Sequence, residues 1–342
     1  MLMNKRAITR PEETGGRAAR NGRHHRRACL LVNPGSGGCS PQVHGDQVGE
    51  IWTALRAAGI WAEIVETKVG EPPGDVARRA AEDGFSMVIA GGGDGTVGAT
   101  AKGLVGTDCP LGILPMGTYN NFARALGLPQ ELQAACRTLA QGRERRVDVG
   151  VANDEHYFFE AAGIGIDADL FPLGEQIKCG NWTRLWQAAM LAYRAEPAHI
   201  HFELNLPLAE AYHESSSHPR ASAAAQPFAS DQHRGLDFSA FLLIVANARY
   251  YGSGFTVAPD AVMDDGLLNV RIFRNFSKRQ LLRHFWSISR RRYGYSPQID
   301  TFTASEVTIT AETDLPFHVD GVPIGRLPVR LRSLPRALRV LG

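Results

Sequence analysis

Apolar residues recur along this chain in two rhythms. In the first half, short apolar runs at 28–32, 60–66, 87–90 and 111–114 alternate with amphipathic stretches. The runs read as buried strands. The intervening stretches read as helices. Val48, Ile51, Leu55 and Ala58 share one helical face, and Gly59 stops that helix. Residues 74–83 form a second helix ended by Gly84, and 97–104 a third. Another runs from Thr118 to Leu126, and Pro129 opens one that ends near Gly142. Strands alternating with helices predict a parallel sheet covered on both faces.

Past Arg146 the rhythm changes. Strand-like runs dominate, at 147–152, 157–162, 199–206, 238–248, 267–273, 307–311 and 329–331. Two helices interrupt them, 182–195 and 277–292, the second with Ser277 as N-cap. An antiparallel β domain is expected. Residues 208–234 are rich in Ser, Ala, His and Pro with no apolar period, and read as a mobile insertion between strands. No internal repeat is visible.

Composition narrows the class. The chain has 342 residues, 44% hydrophobic and 21% charged, as in an ordinary folded protein of about two domains. A net charge of +2 gives no reason to expect a nucleic-acid partner. The charge is unevenly placed, however. Residues 1–27 carry Lys5, Arg6, Arg10, Arg17, Arg20, Arg23, Arg26 and Arg27 against Glu12 and Glu13. That segment reads as a disordered basic arm, either a plain solvated tail or a contact for an anionic membrane surface. No apolar run is long enough to span a bilayer. Cys29, Cys39, Cys109, Cys136 and Cys179 show neither metal nor disulfide spacing. A cytoplasmic location, peripheral to the membrane, is expected.

The candidate chemistry lies where strands end. The run 87–90 leads into Gly91-Gly92-Gly93-Asp94-Gly95-Thr96 and then a helix. Glycines let backbone amides approach an anion, and the helix dipole favours negative charge there. A carboxylate inside such a loop would repel a bare phosphate, so Asp94 suggests a metal ion or proton transfer beside the phosphates. Two further loops, Asn33-Pro34-Gly35-Ser36-Gly37-Gly38 and Pro115-Met116-Gly117-Thr118, also follow strands. Neither the P-loop nor the dinucleotide fingerprint has this spacing.

These loops, with Thr118-Tyr119-Asn120-Asn121-Phe122-Ala123-Arg124, Asp148-Val149-Gly150, Gly163-Ile164-Gly165, Ala258-Pro259-Asp260, Asp264-Asp265-Gly266 and Val319-Asp320-Gly321, resemble the diacylglycerol kinase catalytic family, which includes soluble bacterial diacylglycerol kinases and sphingosine kinases. The resemblance covers the chain from about Ala28 onward. It implies a Rossmann-like nucleotide-binding α/β domain (28–146, with 324–342 returning to it) and a C-terminal antiparallel β-sandwich (147–323). It also implies γ-phosphoryl transfer from ATP, with Mg²⁺, to a lipid alcohol such as a diacylglycerol or sphingoid base. Carried over by position, Asn33, Ser36, Gly37, Thr67, Gly92, Gly93, Asp94, Gly95, Thr96, Thr118 and Asn120 would bind ATP. Asp94 would hold the metal, Asp148 would reach it through water, and Asp320 would take the proton of the acceptor hydroxyl. A homodimer stays open.

Simpler readings stand beside these. Asp94 could cap its own helix, Thr118 the next one, and Asp148 could be a surface strand carboxylate. Asp264-Asp265-Gly266 reads as a turn, and His318 as a strand residue. Phe158, Phe159, Phe171, Trp182, Leu185 and Trp186 could line an acyl cleft or form the sandwich core. The 277–292 helix, apolar on one side and basic on the other, suits either a membrane interface or packing on the sheet. Two positions depart from the family. Val322 and Asn121 stand where carboxylates are usual, so the site is expected to carry less negative charge. NAD kinases also use a Gly-Gly-Asp-Gly-Thr loop, which leaves a soluble-metabolite kinase as an alternative. A non-catalytic nucleotide- or lipid-binding regulator is another.

Overall fold

The computed structural model describes residues 27–32, 44–66, 71–166, 168–171, 173, 183–194, 196–205, 233–274 and 299–342. Several expectations fall outside them: the basic arm up to Arg26, the ATP-site residues Asn33, Ser36, Gly37 and Thr67, Trp182, most of the 208–234 insertion, and the 277–292 helix.

The first half is built from β1 (Arg27–Val32), α1 (His44–Ala57), β2 (Trp61–Glu66), α2 (Pro73–Glu82), β3 (Met87–Gly92), α3 (Asp94–Leu104), β4 (Leu111–Pro115), α4 (Asn121–Ala125) and α5 (Leu132–Gln141). The four strands are parallel in the order β4-β3-β1-β2. Alternation along β1 sends Leu30 and Val32 to one face, with Ile51, Leu55 and Leu139 of α1 and α5. Cys29 and Leu31 go to the other, with Val76, Val97, Ala101 and Leu104 of α2 and α3. Helices α2 and α3 cross at two glycines. A Cβ on Gly103 would lie 1.9 Å from the Gly74 carbonyl oxygen, so a larger residue would force the helices apart. Strand order reverses between β1 and β3, and in such sheets ligands bind in the crevice beyond the carboxyl ends at that point.

The second half contains β5 (Glu144–Ala152), β6 (His156–Phe158), β7 (Ala161–Gly165), a helix Thr183–Arg194, β8 (Ala198–Asn205), β9 (His233–Ala246), β10 (Tyr250–Tyr251), β11 (Phe255–Thr256), β12 (Leu268–Arg274), β13 (Ile299–Ala304), β14 (Glu306–Ala311), β15 (Pro316–Val319), β16 (Val322–Arg326) and β17 (Val329–Leu341). Its pairings are antiparallel. Along β9, Leu243 and Val245 enter one apolar core while Leu242, Ile244 and Ala246 enter another, as two covered faces require. β17 joins the two halves. It pairs with β14 and β5 and ends parallel to β4, with Val340 opposite Leu111.

Some predicted elements differ. The run expected as one strand over 157–162 is two, β6 and β7. Between them the amides of Phe159, Glu160 and Ala161 turn to Asp320. The predicted 329–331 strand continues to Leu341, because Arg336 at φ +53 breaks its register without ending it. Arg27, assigned to the arm, begins β1 and pairs with Glu63 at 3.0 Å. The insertion ends early, since His233 starts β9. Strands β10, β11, β13, β15 and β16 have no counterpart in the apolar pattern. Strands β10, β11 and β15 have two to four residues, and β16 is largely exposed, so they lack a period to read.

Candidate active site

The glycine loop after β3 is shaped by contact, not only by turn preference. A Cβ on Gly92 would lie 2.7 Å from the Thr96 Cβ, and one on Gly117 would lie 2.5 Å from the Gly93 Cα. The loops after β3 and β4 therefore pack backbone to backbone, tied by Met116 N–H donating to Gly92 O at 2.9 Å. Asn120, at φ +49, uses its side chain to accept from Gly117 N–H (2.8 Å) and donate to Gly117 O (3.1 Å). It braces the turn from inside. Thr118 is exposed at its tip.

Helix α3 has Gly93 as N-cap and no side-chain cap. Val97 N–H makes the first bond inside it, to Gly93 O. The amides of Asp94, Gly95 and Thr96 belong to the turn whose donors have no partner within the helix, and they suit an anion. Asp94 does not cap this helix. Its Oδ1 accepts from Phe122 N–H at 3.2 Å and so caps α4 from the neighbouring loop. The N-cap position of α4 belongs to Asn120, not Thr118. Burial pushes the Asp94 carboxyl upward in pKa, while the α4 amides and the Arg124 guanidinium pull it back.

Asp320 occupies a two-residue hairpin turn. Val319 pairs with Val322, and Asp320 and Gly321 have φ of +46° and +79°, the combination that Asp-Gly tolerates. The turn aims the carboxylate into the break between β6 and β7. There it accepts from Phe159 N–H (2.9 Å), Glu160 N–H (2.9 Å) and Ala161 N–H (3.1 Å). Burial raises its pKa, and the three amides and Lys102 oppose that rise. His318 is a fully buried strand residue. Its Nδ1 accepts from Gly321 N–H at 3.2 Å, so its Nε2–H faces the Tyr251 hydroxyl at 2.8 Å.

Sequence reasoning missed Glu160. It is buried, and its Oε2 accepts from Asn121 Nδ2 at 3.0 Å and Gly252 N–H at 3.2 Å. Burial, then the nearby charges of Asp94 and Asp320, hold its carboxyl well above the ordinary carboxylate range. Hydrogen bonds connect the three residues in series: Glu160 N–H donates to Asp320, Glu160 Oε2 accepts from Asn121, and the amide after Asn121 donates to Asp94. A carboxyl from the second half thus lies against Asn121. No local motif marks Glu160, because its neighbours come from α4 and β10.

Asp148 is placed differently. It is fully buried, not a surface carboxylate. Its Oδ2 accepts from Gly266 N–H at 2.6 Å and its Oδ1 from Arg336 N–H at 2.7 Å. Those bonds fasten the Asp265–Gly266 turn and the β17 irregularity to β5. Asp265 accepts from Leu267 N–H, as a turn residue does. Of the aromatic group, Phe158 and Phe159 enter separate cores, while Trp186 is 72% exposed. Val322 is 52% exposed at the start of β16.

Residues 27–152 match the diacylglycerol kinase catalytic domain, and 229–342 match the YegS C-terminal NAD kinase beta sandwich-like domain. The chain is 30% identical over 304 residues to a "Probable lipid kinase YegS-like" of Chromohalobacter salexigens, covering 85% of this chain and 87% of the relative. It is 27% identical to a diacylglycerol kinase of Staphylococcus saprophyticus, covering 92% and 95%. A crystal structure of a diacylglycerol kinase from Bacillus anthracis has the same fold, with a TM-score of 0.62 at 20% identity over 92% of this chain and 96% of that one. The two domains thus belong to one known plan, and the chain is a member of the lipid kinase family built on the diacylglycerol kinase catalytic domain.

Proposed function

We propose that this chain transfers the γ-phosphoryl group of ATP to a hydroxyl of a diacylglycerol-like or sphingoid-like lipid at a membrane surface. The carrying observation is Asp320, held by three backbone amides and joined through Glu160 and Asn121 to the loop of Asp94 at the uncapped N-terminus of α3.

The chain's own groups suit the parts of this reaction. The first-turn amides of α3 bind nucleotide phosphates. Asp320 accepts the acceptor hydroxyl proton as the new O–P bond forms and the bond to the departing ADP breaks. The Asp148, Asp264-Asp265-Gly266 and Asp320 pattern favours a lipid alcohol over a soluble metabolite as acceptor.

Among the described residues no cluster of three metal-ligating side chains exists. Mg²⁺ in phosphoryl transfer needs none, being held through one or two carboxylates and the substrate phosphates. The site fits that mode, since Thr96 Oγ1 and Asn121 Oδ1 are buried oxygens without hydrogen-bond partners in the two elements that Asp94 joins. Asp94 would hold the ion, which when bound neutralises phosphate charge.

The test is label transfer from γ-labelled ATP to lipid alcohols in mixed micelles, with NAD as a further acceptor. Labelled lipid from wild type and none from Asp94→Asn is the expected result. Label in NAD instead would favour the soluble-metabolite kinase. Nucleotide binding without transfer to any acceptor would favour the non-catalytic regulator.

A further inference from the structure

We propose that Glu160 is a positioning residue for phosphoryl transfer, linking the loop of Asp94 to Asp320. This inference rests on the proposed kinase reaction. Every polar group of Glu160 with a hydrogen bond in the structure reaches a different part of the site. Its N–H donates to Asp320 Oδ1 at 2.9 Å. Its carbonyl accepts from Asn247 N–H (2.9 Å) and Ala248 N–H (3.1 Å), at the end of β9. Its Oε2 accepts from Asn121 Nδ2 and Gly252 N–H.

The connections close on both sides. Asn121 opens α4, whose next amide, Phe122 N–H, is held by Asp94. Asn121 Nδ2 also donates to Gly252 O at 2.8 Å, so the amide bridges Glu160 and the β10 end. Gly252 follows Tyr251, whose hydroxyl meets His318; His318 in turn accepts from Gly321 N–H, beside Asp320. Glu160 therefore sits in a closed ring of contacts around Asp320, and its carboxyl, beside the Asn121–Gly252 bond, links that ring to the Asp94 loop through Asn121. The side chain works as an acceptor of two N–H bonds, a task an amide oxygen performs equally well. Misplacing reacting groups by about 1 Å costs on the order of 100-fold in rate.

The experiment uses the full-length protein with Mg·ATP and diacylglycerol in mixed micelles, and compares Glu160→Gln, Glu160→Ala, Asn121→Leu and the Glu160→Ala/Asn121→Leu double variant. Thermal melts accompany each. Glu160→Ala and Asn121→Leu are expected each to lower kcat about 100-fold, with KM for ATP little changed. The double variant should be no worse than either single, because both break one link. Glu160→Gln should recover most of the lost rate. Wild-type kcat in Glu160→Ala, equal loss in Glu160→Gln and Glu160→Ala, or additive losses in the double variant would each overturn the proposal. Amide hydrogen exchange gives a reading independent of turnover. Exchange at Phe122 and Gly252 should quicken in Glu160→Ala and stay near wild type in Glu160→Gln; equal protection in all three would also overturn it. A wild type without lipid kinase activity would instead remove the proposed reaction, leaving the exchange result to decide the link.

Discussion

At the scale of single residues, the site combines side chains whose jobs differ from their simplest reading. Asp320 is a turn residue by conformation and an acceptor of three amides by contact. Asp320→Asn is expected to lower kcat by about 10²–10⁴-fold, the usual contribution of a general base. It should also cost roughly 1–3 kcal/mol, since the amide NH₂ would face a backbone donor. Steady-state kinetics and urea midpoints on the same preparation separate the two effects, and full turnover in a folded variant would end the assignment of Asp320 as base. Three buried thiols give a pH prediction. Burial raises Cys29, Cys109 and Cys136 from 9.0 to about 11. Between those values the unfolded chain releases protons that the folded chain keeps, so stability must fall as pH rises through that window. Below it the thiols are neutral in both states and contribute nothing. Urea midpoints at about pH 8 and pH 10.5 check this, and Cys136→Ala should make the fall smaller.

At the scale of elements, two contacts decide how neighbours approach. Gly103→Ala would drive a methyl group into the Gly74 backbone. Because backbone cannot rotate aside, the variant is expected to lose about 1–3 kcal/mol or more, read as a lowered denaturation midpoint. Wild-type stability would mean that α2 and α3 can separate freely. Asp148→Ala removes the acceptor of two buried amides, one in the turn before β12 and one in β17. A loss of roughly 3 kcal/mol is expected by urea denaturation. Asp148→Asn should lose less, keeping one acceptor. Unchanged stability in both would remove the structural role assigned to Asp148.

At the scale of the whole molecule, β17 carries the join. Val329 and Leu331 enter the sandwich core, Leu338 and Val340 one core of the α/β half, and Leu341 the other. A chain ending at Pro328 is expected to lose cooperative unfolding of both halves, followed by circular dichroism and calorimetry. Two separate intact transitions in the truncated chain would show that the halves stand without the strand. The reach of β17 also marks where local pattern stops being informative. Its central residues alternate poorly in hydropathy because the strand changes neighbours partway along, so only its first residues were legible.

The sequence by itself determined the α/β alternation of the first half, the strand-rich second half, and the loop of Asp94. These depend on glycine placement and on buried runs of period 2 or 3.6, which act over a few residues and can be read in order. It could not determine where β6 and β7 part, what Asp148 holds, or that Glu160 lies against Asn121. Each of those depends on groups far apart in the chain, such as Glu160 with Asp320 and Gly252, or Asp148 with Arg336. Only the tertiary structure decides such pairs, because a buried carboxyl must find its donors wherever the packed backbone leaves them.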